Sequence, residues 1–172
     1  MTSPLNRASS ILLTGFLCCS MASAQDTTVM MDKGQSGVPL ASAIDRSLCS
    51  QEDAAVDGYD VISYRENGGP VPGTPDFSAE HDGSTYYFSS QSHLATFIEN
   101  PERYIPAYHG FCAVTLALGR VVCPDSTNFV IQDDRLFLFE VTGFTNGRTL
   151  WSTDPEDFRA RADTNFESLV IE

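Results

Sequence analysis

The order of turns and apolar segments between residues 58 and 113 constrains the fold of this 172-residue chain more than any other feature. Residues 58–64 alternate in a way that predicts an opening strand. Asp82-Gly83 then lies between two segments rich in aromatic residues, which is among the strongest short-range indications of a β-hairpin. A helical segment follows, and we expect it to end at Asn100-Pro101, since a proline disfavours helical backbone at the residue before it.

Three further elements complete the predicted fold. A second helix at about 108–118 places Cys112 in its first turn, and Gly119 suits a left-handed residue at its end. A second hairpin brackets Asp133-Asp134, and a closing helix includes Pro155 at an early position. We therefore predict the α+β class, as a single compact domain with two β-hairpins and three to four helices. We detect no internal repeat.

The first 24 residues have the pattern of a secretory signal peptide. Arg7 is their only charge, residues 11–17 form a short apolar run, and Ala22-Ser23-Ala24 suits a signal-peptidase site. Residues 25–57 are polar and predict a flexible acidic arm before the folded domain at 58–172. We expect an exported protein, periplasmic or secreted. We expect no membrane span, since no later segment approaches the ~20 apolar residues that a spanning helix needs.

The composition argues against polyanionic partners. The chain has 10 basic and 23 acidic residues, for a net charge of −13. Contacts between basic side chains and phosphates dominate affinity for nucleic acids. We therefore expect no nucleic-acid partner, and the acidity favours solubility in an exported setting.

The motifs resemble those of the YHS domain, in particular its small exported bacterial form. The resemblance covers about residues 59–169 and depends on a series of short segments in order: Gly58-Tyr59-Asp60, Glu80-His81-Asp82-Gly83, Tyr87-Phe88-Ser89-Ser90, Asn100-Pro101-Glu102-Arg103-Tyr104, Phe111-Cys112-Ala113, Gly119, Asp125, Arg135-Leu136-Phe137-Leu138 and Trp151. It implies a YHS-like fold. It also implies a binding function, for a transition-metal ion of the copper or zinc class or for a small ligand.

The chain departs from one branch of that family. Related YHS modules attached to copper-transporting ATPases are thought to bind metal through cysteines. Two of the matching positions hold Ser89 and His93, and the cysteine expected near Asp60 is missing. The thiolate site is therefore not carried over, and His81 is the candidate ligand that persists.

The resemblance also distinguishes the three cysteines that follow the signal peptide. Cys112 belongs to the matched pattern, whereas Cys49 and Cys123 do not. An oxidising compartment allows one disulfide and one free thiol. We expect a Cys49–Cys123 disulfide and a reduced Cys112, with Cys112–Cys123 as the competing pairing.

Cys112 is the first candidate for chemistry. In the first turn of a helix, the dipole and the free amides favour a thiolate, and His109 lies three residues earlier on the same face. The pair is able to chelate copper or zinc, with His81 and His93 as further candidate ligands. Cys112 is alternatively an activated thiol or a small buried core residue.

Three functions follow from these alternatives. The first is an exported YHS-family binding protein for a copper- or zinc-class ion or a small ligand. The second is a thiol-dependent enzyme or redox protein that uses Cys112, and the third is a non-catalytic interaction module. Hydrolase, nucleotide-binding and metalloprotease motifs are absent from the sequence, which favours a protein that is not an enzyme.

Overall fold

The structure is a computed structural model that describes residues 38–39, 48–49 and 54–169. The predicted signal peptide and most of the predicted arm lie outside these ranges. Within them the fold is α+β, as predicted. The strands are β1 Val38–Pro39, β2 Thr74–His81, β3 Ser84–Phe88, β4 Arg120–Val121, β5 Asp125–Gln132 and β6 Arg135–Phe139. The α-helices are α1 Ser63–Glu66, α2 Gln91–Glu99, α3 Pro101–Tyr104, α4 Ala113–Ala117, α5 Gly147–Trp151 and α6 Pro155–Glu167, so several one-turn helices add to the three or four predicted.

Both predicted hairpins are present. Strands β2 and β3 pair antiparallel around Asp82-Gly83, and β5 and β6 pair antiparallel around Asp133-Asp134. Asp133 and Asp134 have φ values of 52° and 58°, and a tight two-residue hairpin turn requires positive φ at both central residues. A third, shorter ladder joins β1 to β4.

The fold contains a structural repeat, although we detected no internal repeat in the sequence. In each half a 3-10 turn leads to a one-turn helix, a hairpin, a further helix and then a proline-initiated helix. The pairs Thr74–Phe88 and Asp125–Phe139 occupy the same place in the two hairpins, and each is followed by the same shift in register. The prolines that begin the last helix of each half are Pro101 and Pro155.

The two 3-10 turns, Ala55–Gly58 and Ala107–Gly110, share an unusual backbone. Their second and third residues, Val56-Asp57 and Tyr108-His109, have φ values between 52° and 59°. Left-handed backbone costs a non-glycine residue roughly 1–2 kcal/mol. The repeat is therefore visible in the backbone conformation and in the register of the hairpins.

The predicted strand at 58–64 is wrong. The chain there forms a turn that leads into α1, because Ile62 N donates to Asp60 Oδ1 at 2.9 Å and Ser63 Oγ donates to Asp60 O at 2.6 Å. Local bonds between side chain and backbone of this kind compete with a strand ladder. This turn places Asp60 in the interior.

The prediction of a helix at 108–118 is also wrong for its first residues, 108–112. Ala107–Gly110 is the second left-handed turn, and α4 begins only after Cys112, which is its N-cap residue. The backbone N–H of Cys112 donates to Val122 O at 3.0 Å, outside any helix. Gly119 has a φ of 82°, so the predicted left-handed end of this segment is confirmed.

The core consists of two apolar clusters that share strand β6. Leu136 and Leu138 pack into the cluster of the first half, whereas Phe137 and Phe139 pack around Trp151 in the second. Successive side chains of a strand point to opposite faces, so β6 is buried on both faces and joins the two halves. Among the described residues, no helix combines the length and the apolar character that crossing a membrane requires.

The predicted Cys49–Cys123 disulfide is present, with a Cα–Cα distance of 5.2 Å. It attaches residues 48–49 to the segment between β4 and β5. Leu48 and Cys49 both pack against the second core cluster. Cys112 is a free cysteine, so the competing Cys112–Cys123 pairing is wrong.

Candidate functional site

Cys112 lies in the core. Its exposed fraction is 0%, and a methyl group added at Gly147 would lie 3.6 Å from Cys112 Sγ. Burial raises the pKa of the Cys112 thiol, and hydrogen bonding with Thr115 opposes this effect only in part. The expected lowering of this pKa is therefore wrong, because loss of hydration disfavours the thiolate more than the local donors favour it.

The three histidines lie beside different carboxylates. His81 Nε2 lies 2.9 Å from Glu102 Oε1, and His109 Nδ1 lies 3.9 Å from Asp82 Oδ2. The described ranges contain no group of three or more His, Cys, Asp or Glu side chains placed to hold one ion. The structure therefore does not gather the four predicted ligands around a single ion: Cys112, His109, His81 and His93.

His93 contacts two carboxylates, one through each ring nitrogen. It is the third residue of α2, where its backbone N–H donates to the N-cap side chain of Ser90. His93 Nδ1 lies 2.6 Å from Asp60 Oδ2, and His93 Nε2 lies 3.4 Å from Glu66 Oε2. The imidazole therefore lies between a carboxylate that is 0% exposed and one that is 51% exposed.

Hydrogen-bond donors surround the Asp60 carboxylate. Asp60 Oδ2 accepts from Ser89 N at 2.8 Å, from Ser89 Oγ at 2.6 Å and from His93 Nδ1, and Oδ1 accepts from Ile62 N. Burial of a carboxylate is costly unless donors compensate it in this way. An ionised carboxylate only accepts, so in that state of Asp60 the donor of this contact is His93 Nδ1.

The gap between His93 Nε2 and Glu66 Oε2 suits a cation. With Nδ1 protonated, a neutral imidazole presents a lone pair at Nε2, and the Glu66 carboxylate presents others. Two atoms bound at about 2.0–2.1 Å to one tetrahedral ion lie ~3.3 Å apart, close to the observed 3.4 Å. With a proton on Nε2, the same two groups form an ion pair.

The second half of the fold has an apolar residue at the position of Asp60. Asp60 N donates to Val71 O at 2.9 Å, and Cys112 N donates to Val122 O at 3.0 Å. In each half a hydroxyl three residues later donates to the carbonyl of the same residue. Asp60 and Cys112 are thus structural equivalents.

The position of His93 is also apolar in the second half. Gly147 precedes Pro155 by the same eight residues that separate His93 from Pro101. A side chain at Gly147 would face Cys112 Sγ, just as His93 faces Asp60 in the first half. The second half thus forms the same backbone arrangement with no acid at the position of Asp60 and no imidazole at that of His93, so the fold itself does not require the Asp60–His93 pair.

Sequence reasoning identified His93 but missed the side chains around it, Asp60, Glu66 and Ser89. One signal was available in the departures from the metal-linked YHS pattern, Ser89 and His93. The structure brings these two side chains onto the same oxygen of Asp60. Their joint presence was therefore more informative than either residue alone.

No protein-family model matches the chain, and neither does any curated protein or solved structure. The YHS resemblance therefore stays a prediction that depends on the sequence motifs.

Proposed function

We propose that this chain is an exported binding protein for a divalent transition-metal ion, with His93 Nε2 and Glu66 Oε2 as ligands. The observation that carries the proposal is the 3.4 Å separation of these two atoms, with His93 Nδ1 engaged by Asp60. A carboxylate behind a ligating histidine fixes the orientation of the ring and raises its basicity, an arrangement typical of metal sites. The Cys49–Cys123 disulfide supports an oxidising location outside the cytoplasm.

The donor set favours zinc or copper(II). Imidazole nitrogen suits both ions, and a carboxylate oxygen completes a zinc site well, whereas copper(I) prefers sulfur ligands. Cys112 is the free cysteine of the described ranges, and it is buried in the core. We therefore expect weak binding of copper(I) at the His93 site.

The two alternative functions have less support. A thiol-dependent enzyme needs a reactive thiolate, whereas burial raises the pKa of Cys112. A non-catalytic interaction module accounts for the fold. It does not account for a buried carboxylate–histidine pair that the second half of the same fold omits.

Calorimetric titration with zinc chloride and copper(II) chloride tests the proposal, on protein purified without an affinity tag. We expect Glu66→Gln and His93→Gln to lose binding. His81→Gln is the matched control, since His81 also contacts a glutamate but has no buried carboxylate behind it in the described contacts. Wild-type protein that binds neither ion, or a Glu66→Gln variant with wild-type affinity, would overturn the proposal.

A further inference from the structure

Within the part of the chain that the structure describes, the proposed ion site is incomplete. His93 and Glu66 supply two ligands, whereas protein zinc sites are almost always four-coordinate. Among the residues described, no third His, Cys, Asp or Glu side chain is placed to join them. The remaining coordination positions are therefore open to water or to groups from outside the described part of the chain.

The two ligands lie where a second molecule is able to reach them. The His93 side chain is 15% exposed, and that of Glu66 is 51% exposed. Gly68 and Gly69 lie two and three residues after Glu66, and apart from their own chain neighbours no atom of the described residues lies within 4 Å of a Cβ built at either one. The surface beside Gly68 and Gly69 is therefore open and leaves room for a neighbouring chain.

We infer, on the basis of the proposed function, that one divalent ion joins two copies of this chain through His93 and Glu66 of each. In a twofold dimer the same surface faces itself, so an ion on the axis receives each ligand twice. Two imidazole nitrogens and two carboxylate oxygens form a four-coordinate set that zinc accepts. The two glutamates also balance the charge of a divalent cation.

The charge of the chain makes this association dependent on the ion. Each copy has a net charge of −13, so two copies repel each other, and the repulsion acts over a Debye length of about 10 Å at 0.1 M salt. The bound ion lowers the repulsion between the two copies where they meet. Added salt screens the repulsion between their remaining negative charges. We therefore expect a monomer without the ion and a dimer with it, favoured further by moderate salt.

Light scattering coupled to size exclusion tests this inference on the full chain, with zinc chloride as the probe. We expect the molar mass to double at one zinc ion per two chains and to return to the monomer value when a chelator is added. Glu66→Gln should stay monomeric; because Glu66 is exposed and lies outside the core, this variant should also fold. The control His81→Gln should dimerise like the wild type.

The outcomes separate the inference from the function on which it depends. Zinc binding at one ion per chain with an unchanged mass would overturn the dimer and leave the proposed function in place. Absence of zinc binding by the wild type would overturn both. A zinc-dependent dimer that persists in Glu66→Gln would place the bridging ion elsewhere and would also overturn the inference.

Discussion

Asp60 and Cys112 occupy the same position in the two halves of the fold, and both are 0% exposed. Each donates its backbone N–H to a carbonyl that lies ten or eleven residues further along the chain, Val71 O for Asp60 and Val122 O for Cys112. Around the Asp60 side chain the chain places hydroxyl and imidazole donors, whereas the Cys112 side chain belongs to the apolar core cluster, with Thr115 as its hydroxyl neighbour. One backbone arrangement therefore supports a polar site in the first half and ordinary core packing in the second.

Ser89 should affect the proposed ion site through Asp60 and His93. Its N–H and hydroxyl both donate to the Asp60 oxygen that orients His93, so Ser89→Ala should weaken zinc binding about 10–100-fold, the usual effect of removing a partner behind a metal ligand. Ser89→Thr should retain most of the affinity, and Ser92→Ala is the control on α2. Titration calorimetry measures this, and an unchanged affinity in Ser89→Ala would contradict it.

Replacing Asp60 should cost stability. Asp60→Ala leaves four donors without their acceptor in the interior, among them His93 Nδ1. We expect a loss of about 3–5 kcal/mol in the free energy of unfolding. Urea denaturation measures the loss, with the exposed residue in Asp76→Ala as a control that should change it by less than about 0.5 kcal/mol. Similar values for both variants would argue against the burial of Asp60.

Cys112 should behave as a core residue. Because burial raises the pKa of its thiol, iodoacetamide at pH 7–8 should react with it slowly in the folded protein and rapidly in urea. Cys112→Ser should lower the free energy of unfolding by roughly 1–3 kcal/mol, since it buries a hydroxyl in an apolar site. Mass spectrometry follows the alkylation. Fast modification of the folded protein would show that the thiol is accessible.

Tyr64 should make the protein less stable at alkaline pH. Its hydroxyl donates to Ser126 O at 2.8 Å, and burial, reinforced by the charge of Asp57, raises its pKa above the ordinary value near 10. The Tyr64 hydroxyl contributes its full stabilisation below about pH 10, where it is protonated in both the folded and the unfolded chain. As the pH rises further, the unfolded chain ionises first, so stability falls by up to about 1.4 kcal/mol per pH unit. Urea denaturation between pH 8 and 11 should show a shallower decline for Tyr64→Phe, and equal declines would contradict the assignment.

Gly73 should not tolerate a side chain. A Cβ at this position would lie 2.5 Å from the backbone carbonyl carbon of Tyr87, so Gly73→Ala forces the backbone at the base of the first hairpin to shift. We expect a loss of roughly 1–3 kcal/mol in the free energy of unfolding, as for other overpacked sites. Gly69→Ala is the control, since nothing lies within 4 Å of its Cβ position. Equal stability of the two variants would show that the contact is relieved without cost.

Short-range signals were sufficient for several elements. Asp82-Gly83 predicted the first hairpin, Pro101 predicted the end of α2, and Gly119 predicted a left-handed residue. Each of these depends on the backbone preferences of one or two residues, which hold wherever the segment packs. The backbone around Asp60 and Cys112 was predicted wrongly. It is set by bonds of the Asp60 side chain to its neighbours and by hydrogen bonds to the carbonyls of Val71 and Val122, which backbone preferences do not anticipate.

The sequence by itself determined the α+β class and both hairpins, and it named His93 as one of four possible ligands. The YHS resemblance favoured the Cys49–Cys123 pairing over Cys112–Cys123, and the structure decided between them. Only the tertiary structure decided which of the four candidates contacts a buried carboxylate, because His93 and Asp60 are 33 residues apart and meet when the hairpin folds α2 onto the first turn. The same packing buried Cys112 and reversed the direction expected for its pKa. Backbone preference is local, whereas burial and the distance between side chains depend on how the whole chain packs.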